Sequence, residues 1–296
     1  MIKLDKFALQ GVRLNANSTL VFNFPYTTQV IFVAKCFHGI HMSDVDSRLI
    51  VRILKSFSVR FVGDFYTQNF LHLKTARFGQ FPTLIGNGSS ADSSSSQQQL
   101  PQQPRQKLKQ NSNSSAWSLS TGQLVIDIKS THLVKFEENS FAHLRLKSAG
   151  KLFLDLDIIE KLMIQRHSFS YMHLEAASRF HIYAKHITFI DFKAFSFSHV
   201  IMWRQSSFQI YLEELISSLC VQRNVFSHLR LHEANTHFNF SIINSKNVML
   251  MHDSFSDVSI ESATARLFIG VFNSPSYQLK LKTNNWYLSV IFIMIY

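Results

Sequence analysis

One motif occurs five times between residues 139 and 261, and it constrains the fold of this 296-residue chain more than any other feature. Each copy centres on a phenylalanine followed by alternating apolar residues: NSFAHLRLKSA from Asn139, HSFSYMHLEAA from His167, FSFSHVIMWRQ from Phe195, NVFSHLRLHEA from Asn224 and DSFSDVSIESA from Asp253. The steps between successive central phenylalanines are 28, 28, 29 and 29 residues. A fixed period in this range is typical of a solenoid, in which each repeat packs on its neighbours.

The pattern inside each repeat predicts strands. A first strand of the form F-x-x-L-x-L is followed after about five residues by a strictly alternating segment, such as LFLDLD (152–157) or FHIYAK (180–185), and then by a shorter apolar pair. Alternation with period two indicates a strand with one buried face. The F-x-x-L-x-L form also occurs in leucine-rich repeats, where a helix or 3₁₀ segment follows, but YLEELISSLC (211–220) is the one segment here with a helix-compatible pattern.

The same pattern extends towards the N-terminus and gives about eight units of ~28 residues. The third unit is interrupted by a segment rich in Ser, Gln, Asn and Pro, which cannot bury enough apolar surface to fold and is expected to be disordered. We therefore divide the chain into solenoid rungs over 1–83, a flexible insertion over 84–121, further rungs over 122–285 and an apolar tail over 286–296. The tail is interpreted as a last strand or a gene-model artefact, and less as a lipid-anchor signal.

Three short strands per repeat without a helix resemble the right-handed parallel β-helix of pectate-lyase-like proteins. The resemblance covers nearly the whole chain outside the insertion, and it implies an all-β, right-handed parallel β-helix solenoid. The polysaccharide lyases and hydrolases with this fold carry acidic clusters with catalytic Arg or Lys residues on one face. No matching set occurs in this sequence, so the resemblance transfers no catalytic residue and no cofactor.

The charge balance favours anionic partners. The net charge is +11 and 14 histidines add positive charge at acid pH. Compact basic runs are absent outside RQKLK at 105–109, so nucleic acid is not expected as a partner. No secretory signal opens the sequence, the apolar tail is too short for a transmembrane helix, and the two cysteines, Cys36 and Cys220, lie several rungs apart, too far for a disulfide.

Outward residues of the first strand predict a basic wall. Because outward side chains of successive rungs align in columns about 4.8 Å apart, the wall is rich in imidazole and guanidinium groups that suit an acidic polysaccharide, more strongly as the histidines protonate. The alternative is a solvated surface without a ligand. Three of these histidines, His173, His199 and His228, occupy consecutive rungs, but a flat wall does not favour convergence on zinc, and no metal site is predicted. The candidate binding residues are Arg13, His41, His72, His143, Arg145, His173, His199, His228 and Arg230.

The second strand suggests an alternative, enzymatic site. Asp155 and Asp157 are paired carboxylates, and Tyr183 and Tyr211 are expected to lie beside Asp155 on the next rungs, as in a glycoside hydrolase with a bound sugar. Lys185 could serve a lyase as a base, or simply form a cross-rung ion pair with Asp157. The structural interpretation is favoured over the catalytic one.

The sequence as a whole predicts a non-enzymatic recognition or adhesion scaffold, a segment of a larger extracellular or cell-surface protein if the full-length form carries a signal peptide. The alternatives are a carbohydrate-active enzyme and an intracellular repeat scaffold for protein partners. Neither end of the solenoid has a polar cap, so self-association through the rung ends is also expected. Four glycosylation triplets favour secretion slightly, with acceptors at Asn17, Asn87, Asn113 and Asn239.

Overall fold

The computed structural model describes residues 1–5, 8–9, 12–33, 36–37, 41–42, 44, 46–63, 118–119, 122–279 and 291–295. Every regular element within these residues is a β-strand, and all of the strand pairs are parallel. No helix in this part of the chain is long and apolar enough to cross a membrane. The expectation of an all-β parallel solenoid is therefore confirmed, and the leucine-rich alternative is wrong.

The strands form three walls of a coil. The first wall contains two-residue strands: β2 (Arg13–Leu14), β5 (His41–Met42), β8 (Ser118–Leu119), β10 (Arg145–Leu146), β12 (His173–Leu174), β14 (Ile201–Met202), β17 (Arg230–Leu231) and β20 (Ser259–Ile260). The second wall contains β3 (Thr19–Pro25), β6 (Arg48–Leu54), β15 (Ser207–Glu213), β18 (His237–Ile243), β21 (Arg266–Phe272) and β23 (Ile291–Ile295). The third wall contains β1 (Ile2–Leu4), β4 (Gln29–Val33), β7 (Ser58–Val62), β16 (Ser218–Val221), β19 (Asn247–Leu250) and β22 (Ser276–Leu279). Three longer strands run through the second and third walls: β9 (Gln123–Phe136), β11 (Lys151–Ile164) and β13 (Arg179–Phe192).

Successive repeats are stacked in register. On the second wall, β3, β6, β9, β11, β13, β15, β18 and β21 pair one after another, so eight units are related by about seven turns of the coil. The pairing of β6 with β9 joins the units on either side of the insertion. The insertion itself lies mostly outside the described residues, and so does its predicted boundary at residue 84. The described part of the tail is β23, which pairs with β21.

The central phenylalanines of the repeat motif form a column inside the coil. All five are at most 2% exposed, and the four successive ring-centroid distances are 5.1, 5.1, 5.3 and 4.7 Å. The interplanar angles of these pairs are 7–18°, so the rings are nearly parallel. Removing each side chain from water contributes about 1.5–3 kcal/mol. The motif thus specifies a continuous aromatic core: Phe141, Phe169, Phe197, Phe226 and Phe255.

A sharp bend separates the second wall from the third in every described unit. The bend residue is in the left-handed conformation, with φ between 50° and 54°; it is never a glycine, and it is an asparagine in two of the eight units. Ile158 is the least suited, because a β-branched side chain is strained at this φ. The bend residues are Tyr26, Lys55, Ser130, Ile158, His186, Glu214, Asn244 and Asn273.

Three sequence-based expectations need correction. The F-x-x-L-x-L strand is mostly a turn: residues 138–143 form turns and the strand is confined to Arg145–Leu146. His143 has φ 60°, which no extended strand permits, and this value explains the difference. The possible helix at 211–220 is β15 and β16. Of the shorter apolar pair expected to face inwards after FHIYAK, Ile187 and Phe189, only Ile187 is buried; Phe189 faces outwards, because the bend moves the inward positions to Ile190 and Phe192.

Candidate functional site

The first wall presents a column of residues from the turn of the repeat motif. His143, Tyr171, His199 and His228 occupy this position with φ between 55° and 60°. Histidine is among the residues enriched in this conformation. Each backbone N–H donates to a serine carbonyl of the next rung; for His143 the acceptor is the oxygen of Ser170, at 2.8 Å. Since the phenylalanine two positions earlier is buried in the core, the turn holds these rings at the surface.

The four rings of this column follow one another along the solenoid axis, the first three stacked and the last tilted, and we call them the ring ladder. Centroid distances are 5.0 Å for His143–Tyr171, 4.6 Å for Tyr171–His199 and 4.5 Å for His199–His228. Interplanar angles are 10°, 21° and 36°. The ring faces therefore contact each other, and a ligand would meet ring edges with their N–H and O–H groups rather than an open platform for stacking.

Beside the ring ladder runs the column of strand residues. Pairing places Arg145, His173, Ile201 and Arg230 on four consecutive rungs. Both arginines are exposed, and neither has an ion pair or hydrogen bond among the described residues. Within these four rungs, which the structure describes completely, the residues that follow the strands include two carboxylates, Glu175 and Glu233, and two further positive charges, Lys147 and Arg204. The two unpaired guanidinium groups thus lie on a wall that carries charges of both signs.

The predicted basic column is only partly assembled. Arg13 and His41 pair with each other in a separate two-stranded sheet. His72 lies outside the described residues, and the strand that precedes Arg145 in the larger sheet is β8, with Ser118 opposite Arg145. The residues that the structure brings into one surface are therefore His143, Arg145, His173, His199, His228 and Arg230.

Burial keeps most of the wall histidines neutral. It lowers the pKa of His143, His173 and His199 below the ordinary value of 6.5, and positive neighbours lower it further, Arg145 for His173 and His228 for His199. The Nδ1 atom of His199 is buried without a hydrogen-bond partner. These histidines are protonated only at a lower pH than exposed histidines, so the predicted strengthening of polysaccharide binding by acid also begins at a lower pH.

The second wall combines carboxylates and tyrosines in one column. The register aligns Arg52, Asp127, Asp155, Tyr183 and Tyr211 on consecutive rungs. The sequence analysis overlooked Asp127, which the alignment of VIDIK at 125–129 with FLDLD at 153–157 could have revealed. Asp127 is buried and pairs with the Nε atom of Arg52 at 3.2 Å. Two carboxylates on adjacent rungs therefore lie beside two aromatic rings.

Asp155 differs from the other acids of this wall because it has no hydrogen bond or ion pair among the described residues. Burial raises its pKa, and the carboxylates of Asp127 and Asp157 raise it further against the opposing effect of Lys129. An isolated carboxyl group with a raised pKa is what a general acid requires. This feature is the strongest structural argument for chemistry at the second wall.

The charges next to Asp155, those of Asp157, Lys185 and His186, are paired across rungs. Asp157 contacts Nδ1 of His186 at 3.0 Å, and the other ring nitrogen of His186 contacts Glu214 at 2.5 Å. Lys185 lies 3.9 Å from both Glu213 and Glu214, so the expected ion pair between Lys185 and Asp157 is wrong. The bend turns the ring of His186 towards Asp157, so His186 is the partner of Asp157 in place of Lys185.

The two tyrosines are held by hydrogen bonds. The Tyr183 hydroxyl donates to Oε2 of Glu213 at 2.5 Å, which raises the pKa of Tyr183 to about 12. The Tyr211 hydroxyl accepts from the Asn239 side-chain amide at 2.8 Å. Tyr183 is 41% exposed and Tyr211 is half-buried, so Tyr183 offers the larger surface to a ligand.

Trp203 and His232 are further members of the first wall that the sequence analysis missed. Their rings stack at 4.8 Å on adjacent rungs, and Nδ1 of His232 contacts Oε2 of Glu261 at 2.6 Å. Trp203 is 37% exposed. The signal was present in the sequence, because both residues follow their strands at the same position of the repeat.

Metal and modification sites are less supported. Within the described ranges no group of three or more His, Cys, Asp or Glu side chains could hold a metal ion. Both cysteines are free.

Two of the glycosylation candidates lie in the described residues. Asn17 is an exposed turn residue, whereas Asn239 lies in β18 with its side chain hydrogen-bonded to Tyr211. The other two glycosylation candidates, Asn87 and Asn113, lie outside the described residues.

Comparison with known proteins gives no relative: no protein-family model, curated protein or solved structure matches this chain. The solenoid fold therefore rests on the register of the chain's own strands, and its function must be argued from its own side chains.

Proposed function

We propose that the first wall binds an acidic polysaccharide and that the chain is a non-catalytic recognition scaffold. The observation that supports this most is the pair of exposed, unpaired guanidinium groups of Arg145 and Arg230 beside the ring ladder. Arginine, tyrosine and tryptophan are the residues most enriched at binding hot spots. Because acidic polysaccharides are found outside cells, the proposal includes an extracellular or cell-surface location.

The electrostatic contrast between the walls favours the first. The second wall also carries exposed arginines, Arg179 and Arg266, but its neighbouring columns contain the carboxylates of Asp127, Asp155 and Asp157. A polyanion lying across the second wall would meet these negative charges at close range, and like-charge contacts oppose binding. On the first wall, Arg145 and Arg230 lie beside the rings of the ladder instead, and Glu175 and Glu233 follow the strands on the other side of the arginine column.

The proposal is tested by measuring the affinity of polygalacturonate for the intact chain as a function of salt. The double variant Arg145→Gln/Arg230→Gln should weaken binding by about 2- to 25-fold, because each exposed ion pair contributes a factor of about 1.5–5. The matched control, Arg179→Gln/Arg266→Gln, removes the same charge at the same three-rung spacing from the second wall and should have less than half that effect on the binding free energy. Equal effects of the two variants, or no binding by the unaltered chain, would contradict the proposal.

A second candidate function is polysaccharide cleavage at the second wall. It is supported by the isolated carboxyl group of Asp155, whose pKa is raised, next to Asp157 and the exposed ring of Tyr183. In that case Asp155 would protonate the leaving oxygen, and Asp157 would act as base or nucleophile.

Release of reducing sugar ends from neutral and acidic polysaccharides tests this second candidate. Asp155→Asn should abolish the activity while leaving the paired charges of the wall intact. Activity that survives the combined replacement of Asp155 and Asp157 by asparagine would exclude the mechanism, and Ser241→Ala on the same wall is a control for general damage.

A further inference from the structure

Sulfur side chains lie close together at one place on the outer face of the third wall. Pairing of β16 with β19 places Cys220 opposite Met249 on adjacent rungs. Both side chains face outwards, because the residues that alternate with them, such as Leu219 and Leu250, are buried in the core. Met249 is 41% exposed and Cys220 is half-buried, so solvent reaches both. Since adjacent rungs are about 4.8 Å apart, the thiol and the thioether are neighbours on one face.

Met251 adds a second thioether at a diagonal position. It follows Met249 by two residues, and its backbone N–H donates to the carbonyl oxygen of Val221 on the preceding rung at 2.9 Å. This hydrogen bond continues the register of β16 and β19 beyond the end of the strands, so Met251 lies one rung on from Cys220 and two residues further along. Met251 is half-buried, like Cys220.

Two contacts elsewhere on the third wall show that side chains in this diagonal relation meet. Arg60 forms an ion pair with Glu137, which lies one rung on and two residues further along. Asp191 accepts a hydrogen bond at 3.3 Å from the side-chain amide of Gln222, which stands in the same relation to it. The thiol and the second thioether are related in the same way. All three sulfur atoms can therefore reach one bound ion.

The charges on the preceding rung favour a monovalent ion. Asp191, the neighbour of Cys220 on that side, is 7% exposed, and Nζ of Lys193 contacts its carboxylate at 2.6 Å, so this charge is already paired. Burial raises the pKa of the Cys220 thiol, and Asp191 raises it further against the opposing effect of Lys193. A metal ion must displace the thiol proton, which passes to solvent. The resulting thiolate carries one negative charge, which a monovalent cation neutralises.

We propose that Cys220, Met249 and Met251 form a binding site for Cu(I), with one thiolate and two thioether ligands. Thiolate and thioether sulfur are the ligands that select Cu(I) among the metals common in proteins. Zinc takes four ligands from thiolate, imidazole and carboxylate groups, and within the described ranges no group of three or more such side chains could hold a metal ion. The site lies on the third wall and is independent of polysaccharide binding at the first.

The affinity of the intact chain for Cu(I), measured under reducing conditions by competition with a coloured Cu(I) chelator, tests this site. Replacing a group that merely orients a metal ligand already weakens metal binding about 10- to 100-fold. Cys220→Ser should therefore weaken Cu(I) binding at least about 100-fold, and Met249→Leu and Met251→Leu about tenfold each. Leucine keeps the apolar character and approximate volume of methionine, so these two variants remove the sulfur with little change in packing.

Met163→Leu is the matched control. This methionine occupies the same column of the third wall two rungs before Cys220, with Asp191 between them, so its loss should leave the affinity for Cu(I) unchanged. X-ray absorption at the copper edge should show three sulfur neighbours around the bound ion. Failure of the unaltered chain to compete for Cu(I), or unchanged affinity in Cys220→Ser, would overturn the proposal. Binding that needs the thiol but is weakened no more by Met249→Leu or Met251→Leu than by Met163→Leu would also overturn it, because a single thiol would then account for the affinity.

Discussion

Replacement of Phe197 by alanine tests whether the phenylalanine column holds the solenoid together. The side chain is fully buried and stacks between Phe169 and Phe226 at 5.1 and 5.3 Å. It also meets the rings of Phe192 and Phe208 at 5.5 and 5.8 Å. Its removal would leave a cavity that rigid strands on both sides cannot fill.

The expected cost is large. A Phe→Ala change in a core lowers the free energy of unfolding by about 3–5 kcal/mol. Each lost aromatic contact adds about 0.5–1.5 kcal/mol to the loss that buried area alone predicts. We therefore expect Phe197→Ala to lower the free energy of unfolding by about 5 kcal/mol. Phe255 is a control, because within the described chain its ring stacks on only one ring of the column, Phe226 at 4.7 Å, and its other ring contacts, with Phe240 and Phe238, are longer, at 5.9 and 6.4 Å. Phe255→Ala should cost about 3 kcal/mol.

Urea unfolding followed by circular dichroism measures both effects. Because each rung contacts only its neighbours, a cavity in the middle of the column should also broaden the transition or split it in two, whereas one near the end should not. A loss below about 1.5 kcal/mol for Phe197→Ala, or a loss no greater than that of Phe255→Ala, would refute this view of the core.

Three further predictions concern single side chains. Ile158→Asn should raise the free energy of unfolding by about 1 kcal/mol, because asparagine tolerates the φ of 54° that strains isoleucine. Thermal denaturation of the variant and of the unaltered chain measures the difference, and a lower stability of the variant would contradict the prediction. At pH 7, Asp155→Asn should leave the free energy of unfolding unchanged or raise it, because this carboxyl group has no partner among the described residues. Asp157→Asn should lower the free energy of unfolding by about 1 kcal/mol, because it weakens the contact with His186. A greater loss of stability for Asp155→Asn than for Asp157→Asn in urea unfolding would contradict these roles. Burial lowers the pKa of His181 to about 4, so the folded state binds this proton less readily than the unfolded state, and the free energy of unfolding should fall as pH drops from about 6.5 towards 4. His181→Gln should reduce the slope of the free energy of unfolding against pH by up to one proton, about 1.4 kcal/mol per pH unit. An unchanged slope would refute the lowered pKa of His181.

Much of the fold follows from the repeat alone. The period and the alternation in segments such as 152–157 predict parallel, stacked strands, and the observed pairing of Asp155 with Tyr183 and of Asp157 with Lys185 agrees with the predicted register. What the pattern could not show is where a strand ends. Phe141 and His143 belong to a turn because of the left-handed conformation at His143, a local backbone property that alternation does not report.

The candidate sites were predictable in their columns but not in their contacts. The ring ladder follows from the repeat position shared by His143 and Tyr171, yet their mutual stacking and the lowered pKa of His143 depend on burial. On the second wall, the bend residue His186 reaches Asp157 and leaves Lys185 to Glu213. Side-chain direction at a bend is decided by φ and by neighbouring rungs, so a linear pattern could not predict it.

Hydroxyl-radical footprinting in the presence of polygalacturonate tests most directly which wall binds. Tyr171 and Trp203 on the first wall are 38% and 37% exposed, and Tyr183 on the second wall is 41% exposed, so the three rings should react comparably in the free chain. The polymer should protect Tyr171 and Trp203 from oxidation and leave Tyr183 unchanged. Protection of Tyr183 with continued oxidation of the other two rings would contradict binding at the first wall and favour the carboxylates of the second.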